Sequence, residues 1–532
     1  MEVRTEPRPS IFVRLRRPET RRMIAAIFAG KVLGVVGLLF VLNLVSSLID
    51  TPASAQTVTH AANDLVNPIN TMWTLVAAFL VFFMQAGFMG LEAGFARSRE
   101  TVNVLTECIV DTCLCGLLFW AFGFAFMFGE GNGLIGHQYF FLQGTPTTYG
   151  STGVAFLAFF LFQFAFADTC STVTSGAMVG RTGFKGDLLY SIAVSGFIYP
   201  IFGHWVWGPG GWLANMTPSA LNSFTGGAGF RDFAGSTVVH TVGGAVALAG
   251  AIVLGPRIGR RFKRDGGGPL PPHDLTIAAI GGVILWFGWY GFNPGSTLSA
   301  MDFEGIGRVA TNTTLAACAG GLVAMLWVYP RTKTWDLGMS VNGFLGGLVA
   351  ITCPCYWVSP AGAVLIGAVA GVVVPLAVDA MEWFRVDDPV GAVAVHGAAG
   401  IWGTLSLGLL ATGAFGVPTP DGVDTSVTVR GLFYGGGVSQ LKAQFIGSLT
   451  CVVVVTSVSL GVMYLVHLTR TLRVSKAGEM RGLDLHEHGT IAYQVDLVRG
   501  FVADGVDAEL DTIDLAADET ADEIRAESDV AV

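Results

Sequence analysis

The chain has 532 residues, 52% of them hydrophobic and only 13% charged, with a mean hydropathy of +0.59. Globular domains carry about 25% charged residues, so this chain cannot furnish a soluble surface, which excludes a cytosolic enzyme, a nucleic-acid binder and a disulfide scaffold together. The net charge of −9 belongs to one end: residues 494–532 hold twelve acidic and two basic side chains, and the remainder is close to neutral. That stretch reads as an acidic, solvated, disordered tail.

Taken in order, the first 22 residues carry seven arginines. An apolar run from Met23 to Ile49 and the sequence Ala53-Ser54-Ala55 follow. A basic start, an apolar run and an A-x-A site fit a signal peptide over 1–55, or an uncleaved N-terminal anchor. Eleven apolar spans come next, at 68–95, 102–128, 153–180, 187–208, 232–255, 273–293, 306–328, 337–354, 358–384, 393–413 and 438–468. Each is long enough to cross a hydrocarbon core of about 30 Å. The expected fold is therefore an all-α integral membrane protein. The expected division is 1–55 leader or anchor, 56–469 transmembrane domain, 470–493 cytoplasmic regulatory segment and 494–532 acidic tail.

Loop charge sets the orientation. With the start of the first span outside, inward-facing segments hold twelve lysines and arginines and outward-facing segments four. The mature N-terminus is thus expected outside, and the C-terminus inside, a cytoplasmic membrane.

An internal repeat sits on this frame. Asp232 precedes His240 by eight residues at the fifth span, and Asp388 precedes His396 by eight at the tenth. A five-span repeat must insert upside down, the signature of inverted-topology transporters. Spans 1–5 and 6–10 form the repeat, and the eleventh is a peripheral helix. Eight residues at about 1.5 Å each place either histidine roughly 12 Å inside its end of the membrane. The copies are inverted, so both histidines reach the middle. Three readings stand: two packing histidines, a metal site lacking a third ligand, or a pair lining a narrow channel where imidazole can exchange protons with a small polar solute.

Aromatic residues cluster at the span ends, in FQFAFAD from Phe162, HWVWGPG from His204 and WFGWYGFNPGS from Trp286. Spans 4 and 6 end on the same face, so Trp207 and Ser296 can both look onto the outer entrance, where an aromatic face binds a small cation. The eight cysteines lack any C-x-x-C pair and read as small core residues; Cys353 and Cys355, which flank a proline, could at most serve a redox or metal role. No nucleophile–base set is visible, so no catalytic residue, cofactor or metal is expected.

The order of these stretches resembles the ammonium transporters of the Amt/Rh family. The matching segments are FFMQAGFMGLEAGFARSRETVNVL from Phe82, FGEGN from Phe128, FQFAFADTCSTVTSGAMVGR from Phe162, HWVWGPGGWL from His204, DFAGSTVVH from Asp232, GWYGFNPGS from Gly288, RVDDPVGAVAVHGAAGIWG from Arg385 and GLDLHEHGTIAY from Gly482. They span roughly residues 68–493. The resemblance implies transport of ammonium or ammonia. It implies recruitment at Trp207 and Ser296 with Phe162 at the rim, and a vestibule held by Asp232, with Asp388 its counterpart in the second repeat. A phenyl gate of Phe166 and Phe292 and pore histidines His240 and His396 complete the set. It further implies a homotrimer and a PII-type signalling partner at the cytoplasmic face, near Arg257–Arg264 and Gly482–Tyr493. Asp168 departs from the family pattern, which carries a small neutral residue there. It reads either as a pore carboxylate or as a buried carboxylate bonded to neighbouring side chains. Other function classes consistent with these motifs are an ammonium sensor with an Amt-like core and a Rh-type neutral gas channel.

Overall fold

The computed structural model describes residues 65–493; the expected leader or anchor and the acidic tail lie outside the described residues. Among the described residues ten helices are long and apolar enough to cross a membrane. They are α1 (Val66–Phe95), α2 (Ser98–Phe128), α3 (Phe156–Gly176), α4 (Phe184–Asn215), α5 (Ser236–Leu254), α6 (Leu275–Gly295), α7 (Phe303–Thr332), α9 (Pro360–Phe384), α10 (Val393–Leu410) and α11 (Ser439–Leu468). The span expected at 337–354 is α8 (Leu337–Thr352), which has only 16 residues. Among the described residues ten of the eleven expected spans are therefore long enough to cross, and α8 is a shorter apolar helix. The cause is local: Pro354 has no N–H to continue the ladder, and the Cys353 N–H donates instead to the Ser236 hydroxyl, at 2.7 Å.

The helices pack as two sets of five. α1 runs against α6, and α5 against α10, so equivalent helices of the two halves meet at the centre. Small residues make these contacts possible, since helices without a hydrophobic drive toward each other associate by close packing. A Cβ at Gly281 of α6 would lie 2.3 Å from the Leu91 nitrogen of α1, and one at Gly94 of α1 would lie 2.4 Å from the Asp274 oxygen. α3 and α5 are the most buried spans, while α11 packs against α5 and α10 and is the least buried. That agrees with the peripheral place expected for it.

On one face a small hairpin, β1 (Val417–Thr419) and β2 (Gly422–Asp424), pairs antiparallel. Its turn is tied down by Pro420, whose carbonyl accepts from the Asn70 side chain of α1 at 3.0 Å and from the Ser299 hydroxyl at 3.1 Å.

The C-terminal segment docks on the other face through α12 (Lys476–Arg481) and α13 (Leu483–His488). Arg473 donates to the carbonyls of Leu254 and Pro256 at the end of α5. Asp484 accepts from the Asn103 N–H at 2.9 Å, and His488 meets the Asn103 side chain at 2.9 Å. Beside them Arg257 grips Asp387 through its backbone N–H, Nε and one terminal nitrogen, at 2.8–2.9 Å. Burial alone would raise the Asp387 carboxyl, but Arg257 and Arg181 together hold it well below the usual carboxylate range.

Candidate functional site

Each repeat builds its histidine in the same way. Asp232 accepts backbone N–H groups of Gly235, Thr237 and Val238 at 2.8–3.0 Å. Asp388 accepts those of Gly391, Ala392 and Val393 at 2.9–3.1 Å. The orphan donors at the two helix starts are thus satisfied by one carboxylate each. Three residues after either aspartate stands a glycine with positive φ, 114° at Gly235 and 82° at Gly391. A side chain there would be strained, and at Gly235 it would also approach the Trp207 ring, at 3.1 Å. Burial raises both carboxyls against these backbone bonds, Asp388 to about 6.

The chain then forms a π-helical turn in both copies, Ser236–Thr241 and Val393–Ala398, carrying His240 and His396. Such turns widen a helix by one residue and recur at functional positions. α5 and α10 cross where Gly244, just past the first turn, meets Gly397 within the second: a Cβ at Gly244 would lie 2.4 Å from the Gly397 nitrogen. This close crossing brings the imidazoles together, Nδ1 to Nδ1 at 3.1 Å, with both rings buried. One ring nitrogen of that pair donates and the other accepts. The Nε2 of His240 has no hydrogen-bond partner.

Aromatic rings wall the pair. Phe292 of α6 lies 5.4 Å from His240 and stacks on Phe166 of α3 at 4.0 Å, 28° from parallel. Trp289, one turn before Phe292, stacks on His240 at 5.2 Å and donates to the Thr352 hydroxyl at 2.9 Å. Beyond the phenyl pair, Phe162 packs on Phe166 at 4.7 Å, and Trp207 meets Phe166 edge-on at 6.2 Å. The Trp207 indole donates to the Asp232 carbonyl at 2.7 Å, which fixes its plane. The Ser296 hydroxyl donates to the Phe292 carbonyl at 2.8 Å and keeps its oxygen free to accept.

Nine of the ten residues singled out from the sequence therefore fall into one construction: His240, His396, Phe166, Phe292, Phe162, Trp207 and Ser296 in a continuous series, Asp232 and Asp388 as its two anchors. Asp168 stands apart. It is buried in α3, accepting from Gln85 Nε2 at 3.3 Å and from the Thr112 hydroxyl at 3.2 Å, which is the bonding of a buried carboxylate held by its neighbours. Among the described residues no three metal-ligating side chains gather, and all eight cysteines are free. Sequence reasoning passed over Trp289, although its i, i+3 spacing from Phe292 on a helix was the available signal.

Ten membrane-length helices in two halves, packed around a buried series of stacked rings and paired imidazoles, are the architecture of a membrane channel or transporter. The chain belongs to the Ammonium Transporter Family, whose model matches residues 72–493. It is 40% identical over 459 residues to ammonium transporter Amt2 of Archaeoglobus fulgidus, covering 86% of this chain and 94% of that one. It is 37% identical over 441 residues to ammonium transporter 1 member 3 of Solanum lycopersicum, covering 81% and 94%. Among solved structures, a sensor Amt protein matches with a TM-score of 0.70 at 34% identity, over 80% of this chain and 99% of that one. Candida albicans Mep2 matches with a TM-score of 0.68 at 27% identity, over 81% and 91%.

Proposed function

We propose that the protein carries ammonium into the cell as ammonia plus a separately handled proton, through a dry path between its two halves. The observation that carries this reading is the buried His240–His396 contact directly behind the Phe166–Phe292 stack. An ammonium ion at Trp207 gains cation–π attraction, worth about 0.5–2 kcal/mol, and can donate to the free lone pair of Ser296. Potassium is similar in size and charge but has no proton to give up. Moving it unhydrated past the stacked phenyls costs several kcal/mol or more. Neutral ammonia avoids that cost, and the paired imidazoles offer it a donor and an acceptor.

The twelve-to-four charge asymmetry of the loops supports an orientation with Trp207 outside and the docked C-terminal segment in the cytoplasm. Relatives that are named transporters support a carrier rather than an enzyme. Assembly as a homotrimer and docking of a PII-type protein near Arg257–Arg264 and Gly482–Tyr493 belong to the same proposal, as do a cytoplasmic regulatory role for 470–493 and a leader or anchor role for 1–55. The test is electrical: purified protein in proteoliposomes, with ammonium and potassium gradients applied in turn. A current or uptake with ammonium and none with potassium is expected. Equal responses to the two cations would contradict the reading.

A further inference from the structure

The loop between α5 and α6 and the adjoining ends of α6, α7, α8 and α9 enclose a cavity of about 630 Å³ at the start of α10. Ligand pockets run about 300–1,000 Å³, so it can hold a short stretch of peptide but no folded domain. Leu275, Met339, Met381 and Val390 give it apolar walls. One polar group faces it unsatisfied. Asn342 of α8 lines the cavity at 7% exposure and donates through Nδ2 to the Val390 carbonyl at 3.2 Å. Its Oδ1 has no partner. A buried amide oxygen is normally paired, and this one is placed to accept an N–H from whatever enters.

The mouth of the cavity is positive. Of the carboxylates that line it, Glu382 and Asp387 pair with Arg260 and Arg257, while Asp336 and Asp388 accept backbone N–H groups at helix starts. Asp379 alone serves both Lys263 and Arg331, at 2.9 Å each. Beside these two stand Arg261, Arg264 and Lys333, all exposed and, among the described residues, in no ion pair. Five exposed cations thus have one paired carboxylate among them.

The described chain ends at this mouth. Tyr493 meets His273 ring to ring at 5.4 Å and hydroxyl to Nε2 at 2.9 Å, and Pro272 and Leu275, on either side of His273, line the cavity. Residues 494–532 follow, with twelve acidic side chains and two basic ones. Within them Val506, Leu510, Ile513 and Leu515 alternate with the carboxylates of Asp507, Glu509, Asp511 and Asp514. That stretch offers apolar groups for the walls and charges for the rim. Val506 lies thirteen residues past Tyr493, a reach of up to about 45 Å in extended chain.

We propose that the acidic tail docks in this cavity through Val506–Leu515, with its carboxylates against Lys263, Arg331 and their neighbours and a backbone N–H on Asn342 Oδ1. Tethering keeps the local concentration of the tail high, so weak contacts suffice. Docking requires only that Tyr493 and the cavity share one face, and so does not depend on what the protein carries. Any other visitor to the cavity, a signalling protein included, has to displace the tail first.

The test uses the full chain in nanodiscs of neutral lipid, carrying the photoreactive substitution Leu510→benzoylphenylalanine, with cross-linked peptides identified by mass spectrometry. Cross-links are expected to the cavity segments 269–275, 328–342 and 375–391. Their yield should fall about tenfold between roughly 0.1 and 1 M salt, as the Debye length shrinks from about 10 Å to about 3 Å. Lys263→Glu with Arg331→Glu should lower it about as much, since like charges then face each other. Neutralising Asp507, Glu509, Asp511 and Asp514 to Asn or Gln should do the same and leaves every described residue unchanged, so it decides the matter even if the double variant fails to fold. Absent or scattered cross-links, or cavity cross-links indifferent to both salt and tail neutralisation, would overturn the docking. Loss of the cross-links in discs of anionic lipid would also overturn it, because the cations would then belong to the lipid surface.

Discussion

His240 and His396 are 156 residues apart in the chain, yet their Nδ1 atoms meet at 3.1 Å. The contact needs two aspartate-anchored π turns and one glycine crossing, and each of these parts makes a prediction of its own.

The first concerns the anchors. Asp232→Ala leaves three backbone N–H groups at the start of α5 without their acceptor. The expected cost is about 1–3 kcal/mol, seen as a lower midpoint for thermal unfolding in detergent. Asp232→Asn keeps one acceptor oxygen and should lose less. Equal midpoints for the parent and Asp232→Ala would show the carboxylate to be dispensable.

The crossing predicts an asymmetry between two glycines. A methyl at Gly244 would stand 2.4 Å from the Gly397 nitrogen, whereas one at Gly397 would find no atom nearer than 3.8 Å. Gly244→Ala should therefore push α5 from α10, at about 1–3 kcal/mol, and lower transport sharply. Gly397→Ala should be tolerated. Uptake measured on matched amounts of the two variants decides this, and similar losses in both would argue against the crossing as drawn.

At the outer end, Trp207→Leu removes the aromatic face and should raise the half-saturating ammonium concentration about 2- to 30-fold. An unchanged concentration dependence for ammonium and methylammonium would remove Trp207 from the recruitment site.

On the opposite face, Asp387 lies between Arg257 and Arg260, with Arg181 bonded to its backbone carbonyl. Its folded-state carboxyl titrates below its unfolded value. The ion pair therefore stabilises above about pH 4, and that stability is lost as the pH falls further. Asp387→Asn leaves buried Arg257 unpaired, at about 3–5 kcal/mol, beside Ile258, whose N–H donates to Glu479 of α12. Faster proteolysis within 470–493 is expected in this variant, and parental cleavage rates would show the segment to be held elsewhere.

The architecture was legible because its signal is compositional: apolar spans separated by basic loops, and one aspartate-to-histidine spacing that recurs five spans later. That spacing located both imidazoles. It could not show the π turns, since an i→i+5 ladder leaves no mark on hydrophobic periodicity. Pro354 could have warned that α8 would be short. The bonding of Asp168 to Gln85 and Thr112 depends on three helices meeting.

On the proposed function, neutral imidazoles and not charge line the middle of the path. His240→Asp and His396→Glu each place there a carboxylate able to offset a desolvated cation. The measurement is ion flux in proteoliposomes under separate ammonium and potassium gradients, for the parent and both variants. Potassium should permeate, or block competitively, in the variants alone. Continued exclusion of potassium with parental ammonium rates would mean that the histidines only pack, and the account of selectivity would fail.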